Sequence, residues 1–434
     1  VQSTRMAGGV AVSHPKVSAT VWAACGLAGT DPVYDGWSAI GVALARRGVR
    51  LKLWVREPDL ARREGFETAY APHFVSDGEG GDPRAADPSI AAEIAALERA
   101  WYCPSPDADA RVLAATGAWA ERLATDRPVA IVSWGDASPT SRLLVRLAQK
   151  ARIVCWRAER GPLPGTLDLS PQGQSRHVAL ATELAMLSGD RRALNRRFER
   201  VRAFYDRPDH KHYPEHNRDP EPADAERLLA GTGPKVLFLG AVDVGSGLRL
   251  QDLGLGDRVS AFVRGTDHAS AVTIRALEKA RPDAVLWHRP HPGHAVGPAV
   301  ETALDVRDAQ GLDLNWLIRQ ADVVVSAVTT SQFEAALYDV PQVLLGAGPL
   351  IGRGVGYEAF SEREAVRALK AALARRGFEA KKRAARQTIG LLFDRHLIGL
   401  RPEVPTRLGP EDAAELIGRF ARFQGWTPTA PSGQ

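Results

Sequence analysis

The feature that most constrains this chain is an alternation of short apolar runs with amphipathic stretches, which occurs twice, once on each side of a polar interruption. Residues 17–25 form an apolar run of strand length, and the segment after it sets Trp37, Ile40 and Leu44 on one helical face. Residues 49–55 follow as a second strand, with Val49, Leu51, Leu53 and Val55 alternating inward. Residues 89–123 are alanine-rich and read as helix, 129–133 as strand, 141–150 as helix and 153–156 as strand. Strands that are apolar throughout and separated by helices predict a mainly parallel, doubly wound sheet covered on both sides.

Residues 206–226 break this rhythm with prolines, histidines and charges, and the pattern then restarts. Strands are predicted at 235–239, 284–288, 322–328 and 342–345, and helices at 269–280, 314–319 and 331–338. Further helices, including 378–397 and 410–423, close the chain. With 434 residues the chain exceeds one ordinary core. The expected architecture is α/β, with two Rossmann-like domains facing a central cleft. Their expected limits are 1–205 for the first, 206–232 for a connector, 233–395 for the second and 396–434 for a helical tail. Ligands in such sheets bind outside the carboxyl ends of the strands.

Hydrophobic residues make up 44% and charged residues 25%, a globular rather than a disordered balance. No run of about eighteen apolar residues is present to span a bilayer. The first sixteen residues hold no apolar segment of signal-peptide length, so a cytoplasmic location is expected. Cys25, Cys103 and Cys155 form no Cys-x-x-Cys pair, which argues against zinc or redox chemistry. The net charge of +5, with arginines concentrated in 191–202, fits an anionic substrate or an anionic membrane surface. Zinc-finger spacing, an RNP-type aromatic motif and a heptad zipper are all missing, so no nucleic-acid partner is expected.

The sharpest local motif is Arg289-Pro290-His291-Pro292, at the end of a predicted strand. The prolines forbid regular pairing and fix an extended path, which would present Arg289 and His291 at the carboxyl end, suited to a phosphate. A proline-rich loop with an incidental histidine is the plainer alternative. Zinc ligation by His288, His291 and His294 lacks a nearby carboxylate or cysteine, and no metal is expected. About forty residues on, a strand ends in Thr329, Thr330 and Ser331, where hydroxyls and free amides open a helix. Glu334 lies one turn in, placed to accept hydrogen bonds from ribose hydroxyls; Ser331-x-x-Glu334 also reads as a capping box. Residues 346–356 are glycine-rich but miss the dinucleotide fingerprint.

In the first half, Asp136 and Glu159 follow two successive strands. Carboxylates so placed could share one cleft as base or nucleophile. Equally, Asp136 reads as an N-cap and Glu159 as the partner of an arginine. Asp107-Ala108-Asp109 is a cheap helix start, and the acidic and histidine cluster 209–216 a solvated hinge.

Taken in order, these elements resemble the capsule-polysaccharide biosynthesis family, which includes the retaining β-Kdo transferases that use CMP-Kdo. The likeness spans about residues 129–357. It rests on Gly135-Asp136, Glu159-x-Gly161 leading into LPGTLDL, RPHP, and Ser331-x-Phe333-Glu334-Ala335 with VPQVLLGAGP. It implies a GT-B-like fold and transfer of a sugar, foremost Kdo, from a CMP-sugar to a saccharide or glycolipid acceptor. No further cofactor is implied, and the location is peripheral on the inner face of a bacterial inner membrane. His291 would touch the donor phosphate, with Ser331 and Glu334 around the nucleotide; Arg289 and Thr330 join the expected donor-binding set on their own residue chemistry. Glu159, and after it Asp136, would act at the anomeric centre. Two departures stand out: Ser170 where the family often carries an acid, with Asp168 two positions earlier, and Arg160 where some members have an aspartate. Rival readings on the same fold are a non-catalytic scaffold, a sugar-nucleotide epimerase and a glycerophosphate transferase.

Overall fold

A computed structural model describes residues 19–24, 32–55, 67–70, 81–101, 107–135, 137–162, 165–170, 187–207, 217–243, 246–252, 254–255, 259–291, 300–346 and 348–422. The first half runs β1 (Ala19–Ala24), α1 (Pro32–Ala45), β2 (Val49–Val55), β3 (Glu67–Tyr70), α2 (Pro88–Trp101), α3 (Ala108–Asp126), β4 (Ala130–Trp134), α4 (Pro139–Lys150), β5 (Val154–Arg160) and β6 (Thr166–Ser170). Helix α5 (Arg191–Tyr205) and helix α6 (Pro222–Leu229) lead into the second half. There follow β7 (Lys235–Leu239), α7 (Leu248–Asp252), α8 (Thr266–Ala280), β8 (Val285–Arg289), β9 (Asp305–Asp308), α9 (Leu314–Gln320), β10 (Val323–Ser326), α10 (Ser331–Leu337), β11 (Gln342–Leu345) and β12 (Tyr357–Ala359). The chain closes with α11 (Glu362–Leu373), α12 (Phe378–Arg395), β13 (Ile398–Gly399) and α13 (Pro410–Arg422).

These elements build two sheets, ordered β13-β6-β5-β4-β1-β2-β3 and β12-β11-β10-β7-β8-β9. Counted from its own first strand, the second sheet reads 6-5-4-1-2-3, all parallel, which is the doubly wound order of dinucleotide-binding folds. The first sheet repeats that order over its five parallel strands and then adds β6 and β13 at one edge, where both junctions are antiparallel. The fold is therefore α/β with two Rossmann-like sheets, a GT-B-like plan.

Period-two alternation explains how each sheet is covered. Val21, Ala23, Leu51, Leu53 and Val132 point to one face of the first sheet and pack on Trp37, Ile40 and Leu44 of α1 and on Ala413, Ala414 and Ile417 of α13. Their neighbours Trp22, Trp54 and Ile131 point to the other face, under α2, α3 and α4. There the Trp22, Trp54 and Trp119 rings meet edge to face. In the second sheet, Val236, Phe238, Leu286 and Val325 pack under α8 and α11, and Leu237, Trp287 and Val324 pack on the opposite side against α9. The fully buried Trp287 indole donates to the Leu228 carbonyl at 3.0 Å, so its one polar group is satisfied.

Two long helices join the sheets. Leu194, Phe198 and Val201 of α5 pack on Ile389, Leu392 and Phe393 of α12, and Phe333 and Leu337 of α10 share that cluster. After α12 the chain crosses back: β13 pairs with β6 of the first sheet, and α13 lies on α1. The tail expected from residue 396 is thus partly strand and part of the first sheet's core.

Two local expectations are corrected. The long helix at 89–123 is two helices, α2 and α3. Ser138, not Asp136, caps α4, its hydroxyl accepting from the Ser141 amide; Asp136 itself lies outside the described residues. The edge strands β3, β9, β12 and β13, and β6 beside β13, carry too few apolar residues, or are too short, to be read from pattern alone.

Candidate functional site

The strand order fixes where a ligand can enter each sheet. In the second sheet, β8 and β10 lie on either side of β7, so the chain departs in opposite directions from β7 and from β10. The crevice opens at that switch point, beyond the carboxyl ends of the strands. Pro290 and His291 leave β8 there, and Thr329, Thr330 and Ser331 leave β10 there. Gly240, at the end of β7, permits this convergence: a Cβ on it would stand 3.1 Å from the His291 nitrogen and the Pro290 Cα. Its own amide donates to the Arg289 carbonyl at 3.0 Å. The last residue of the RPHP motif, Pro292, lies outside the described residues.

His291 is half-buried, as are Thr330 and Ser331. Arg289 behaves otherwise. It is the last residue of β8 and only 8% exposed, and its guanidinium donates to the Asn217 amide oxygen at 2.9 Å and to the Leu312 carbonyl at 3.4 Å. The expected outward presentation of Arg289 is therefore not found; the side chain turns under the sheet. Burial holds its pKa below the ordinary arginine value, against the pull of Glu334 and Asp313.

Glu334 is 3% exposed and accepts a hydrogen bond from the Tyr205 hydroxyl of α5. Its second oxygen, Oε2, is buried without a hydrogen-bond partner. Burial pushes the carboxyl up to about 7, although Tyr205 and the Arg289 charge pull it down. The capping box is not formed: the α10 N-cap is Thr330, which makes no side-chain cap bond, and Glu334 reaches towards α5 instead. Next to it the fully buried Gln332 donates to Ser326 Oγ and to the Ala327 carbonyl. Gly348 is tolerated only as glycine, because its φ is +141° and a Cβ would meet Gln332 Oε1 at 2.4 Å. The glycine-rich loop thus closes onto α10.

On the first sheet the switch point lies between β1 and β4, where Gly135 and then Asp136 follow β4. Gly135 has φ +61°, and a Cβ on it would lie 2.8 Å from Glu159 Oε1. The half-buried Glu159 of β5 therefore extends its carboxylate over the Gly135 backbone, at the carboxyl end of β4. Antiparallel pairing sets Glu159 directly opposite Asp168 of β6. Trp156, Ala158, Leu167 and Leu169 face the apolar core, so period two turns Glu159 and Asp168 together to the other side of the sheet. Asp168 Oδ1 lies 2.8 Å from His396 Nε2, with those side chains 7% and 8% exposed.

Sequence reasoning named Glu159 but not this pair. Asp168 registered only as an acid displaced from Ser170, and His396 carried no signal, because it lies 228 positions away. Among the described residues no group of three or more His, Cys, Asp or Glu side chains forms a metal site. Asp109 of the Asp-x-Asp pairs with Arg99 on the surface. The cluster at 209–216 lies outside the described residues.

No family model and no curated protein matches the chain. Among solved structures, the β-Kdo 2,4-transferase of KpsC from Thermosulfurimonas dismutans is similar at 17% identity, over 57% of this chain and 79% of that one, with a TM-score of 0.42. The β-Kdo 2,7-transferase of the same protein is similar at 16% identity, over 69% and 88%, with a TM-score of 0.41. The Staphylococcus aureus MnaA structure with UDP is similar at 11% identity, over 94% and 97%, with a TM-score of 0.40. Among the described residues, no helix is long and apolar enough to cross a membrane.

Proposed function

We propose that this chain is a glycosyltransferase that takes a nucleotide-activated sugar on its second sheet and passes the sugar to a saccharide or glycolipid acceptor beside its first. The observation that carries this reading is the repeated strand order. Each sheet has a switch point, with His291 and the Thr329–Ser331 hydroxyls beside one and the Glu159 carboxylate beside the other. In this reading His291, Thr330 and Ser331 receive the donor phosphate. Arg289 and Glu334 act from beneath, holding the end of β8 and helix α10 at a fixed spacing. Glu159 serves the anomeric centre, with Asp136 following Gly135 as the second candidate. As a nucleophile, the carboxylate would displace the nucleotide and form a glycosyl ester that the acceptor hydroxyl then displaces, with retention. As a base, it would take the acceptor proton, with inversion.

The finer reading rests on the motif likeness alone. The donor is CMP-Kdo, no metal takes part, and the product enters a capsule or other surface polysaccharide. The enzyme works in the cytoplasm, peripherally attached to an anionic membrane face. A bound donor raises the unfolding temperature by mass action, so a thermal-shift screen of CMP-, CDP-, UDP- and GDP-linked sugars tests the proposal directly. CMP-Kdo is expected to give the largest shift, and His291→Ala to abolish it. No stabilisation by any nucleotide would leave a scaffold. A shift with UDP-sugars that yields only an epimerised donor would replace the transferase with an epimerase.

A further inference from the structure

Helix α5 holds its charge in an arrangement that lowers its own stability. Its first turn contains Arg191 and Arg192 and no acid, at the end where the helix dipole favours anions. Arg192, Arg196 and Arg200 then follow at four-residue intervals, about 6 Å apart along one side, where like charges repel. Leu194, Phe198 and Val201 turn to the core shared with α12, and Arg191, Arg192, Arg196 and Arg200 are all exposed. Among the described residues, none of these four arginines enters an ion pair or a side-chain hydrogen bond.

The acids nearby are already matched. Asp190 accepts from the Ala193 amide at 2.8 Å, Glu199 is held by Arg386 of α12, and Asp206 is held by Arg319 of α9 at 2.5 Å. Arg197 and Arg202, the half-buried arginines of α5, do find acids: Asp394 at 3.3 Å and Asp339 at 3.4 Å. Arg383 of α12, one turn before Arg386, is exposed and, among the described residues, unpaired as well. What remains is a row of uncompensated positive charge, with no large apolar side chain among the exposed residues of α5.

From this row we propose that the outer face of α5 docks the protein on an anionic lipid bilayer. The arginines stand in the open on a convex surface, where nothing encloses a small anion, so the matching partner spreads its negative charge over a plane. A single-stranded nucleic acid would call for aromatic side chains between the cations, and the exposed face of α5 has none. With no side chain to insert, the contact is electrostatic, reversible and sensitive to salt. This docking role rests on the transferase reading for its purpose, because a glycolipid acceptor is the reason to hold the enzyme at a bilayer.

Co-sedimentation of the full chain with lipid vesicles, without donor or acceptor, tests the docking itself. Binding is expected to vesicles of phosphatidylcholine with phosphatidylglycerol and not to phosphatidylcholine alone. It is expected to vanish at about 1 M salt, where the Debye length is roughly 3 Å. Each arginine at such a surface contributes about fivefold in affinity. Arg192→Gln/Arg196→Gln is therefore expected to bind roughly 25-fold more weakly, and the variant that adds Arg191→Gln and Arg200→Gln roughly several hundredfold. Glutamine matches arginine in helix propensity and the like charges are gone, so this fourfold variant is expected to melt no lower than the wild type. A lower melting point would make the arginines part of the fold and overturn the proposal. Equal binding to neutral vesicles, or undiminished binding by the fourfold variant, overturns it too. So does tighter binding to duplex DNA than to anionic vesicles at the same salt, which would assign the row to nucleic acid. The donor-induced thermal shift is expected to survive in the fourfold variant, since none of the four arginines lies at a switch point. Vesicle binding by a protein that no nucleotide stabilises sinks the transferase reading and leaves the docking surface standing; a donor shift without vesicle binding does the reverse.

Discussion

Glu159 and Glu334 make an instructive pair, because both follow the logic of a strand ending at a switch point and yet they live in different media. Glu159 is half-buried, lies over a glycine and has another carboxylate as its cross-strand neighbour. Glu334 is enclosed, bonded to Tyr205 and influenced by the Arg289 charge, with one oxygen left without a partner. A carboxylate at the edge of solvent keeps its charge cheaply and can meet a substrate. One that is fully desolvated pays for its charge unless several groups share it, and so turns into a hinge pin of the fold. The same two-sheet plan thus yields a half-exposed acid on one sheet and an enclosed acid on the other.

The largest test of this contrast is Glu159→Gln, which keeps the shape and removes the charge. Turnover is expected to fall about 10²–10⁴-fold with the thermal midpoint nearly unchanged. Steady-state kinetics beside a melting curve would show it, and wild-type turnover would move the reactive role to Asp136. Next in size is Gly135→Ala. A left-handed backbone angle there costs an L residue roughly 1–2 kcal/mol. The added methyl also meets Glu159 Oε1, and a displacement of that kind can lower turnover about a hundredfold. If the alanine variant loses stability but keeps its rate, the Glu159 carboxylate does not work from above Gly135.

The smallest effect concerns Glu334 and is read in stability rather than rate. Its proton is lost near the usual 4.5 in the unfolded chain and near 7 in the folded one, so the folded state binds the extra proton between those values. Raising the pH through that window therefore removes stability, by about 2 kcal/mol between pH 5 and 7. Urea unfolding at several pH values is expected to show this slope in the wild type and a flatter one in Glu334→Gln. Equal slopes would mean that Glu334 keeps its charge in the fold, as a group open to ligand would.

Much of the candidate site was legible because local chemistry marks it. Pro290 and Pro292 announce a break after an apolar strand, Gly135 announces a turn after another, and the Thr-Thr-Ser run announces a helix start. The fates of Arg289 and Glu334 were not legible. Arg-Pro and Ser-x-x-Glu have sound local readings, a presented cation and a capping box, and only the arrival of Asn217 and Tyr205 from distant segments overrules them. Asp168 was misjudged for a related reason. Residues 166–170 look like the continuation of a loop, and their pairing with β5 depends on a strand partner rather than on their own pattern.

What the sequence determined by itself is therefore the alternation of buried strands and helices in two halves, and the breaks where each strand hands over to a loop. Those properties follow from periodicity and from backbone restrictions that act within a few residues. What only the tertiary structure decided is which acid stays at the water's edge and which is enclosed, and that His396 meets Asp168 across most of the chain's length. Burial and charge neighbours are set by packing between segments remote in sequence, and desolvation, unlike turn chemistry, has no local signature.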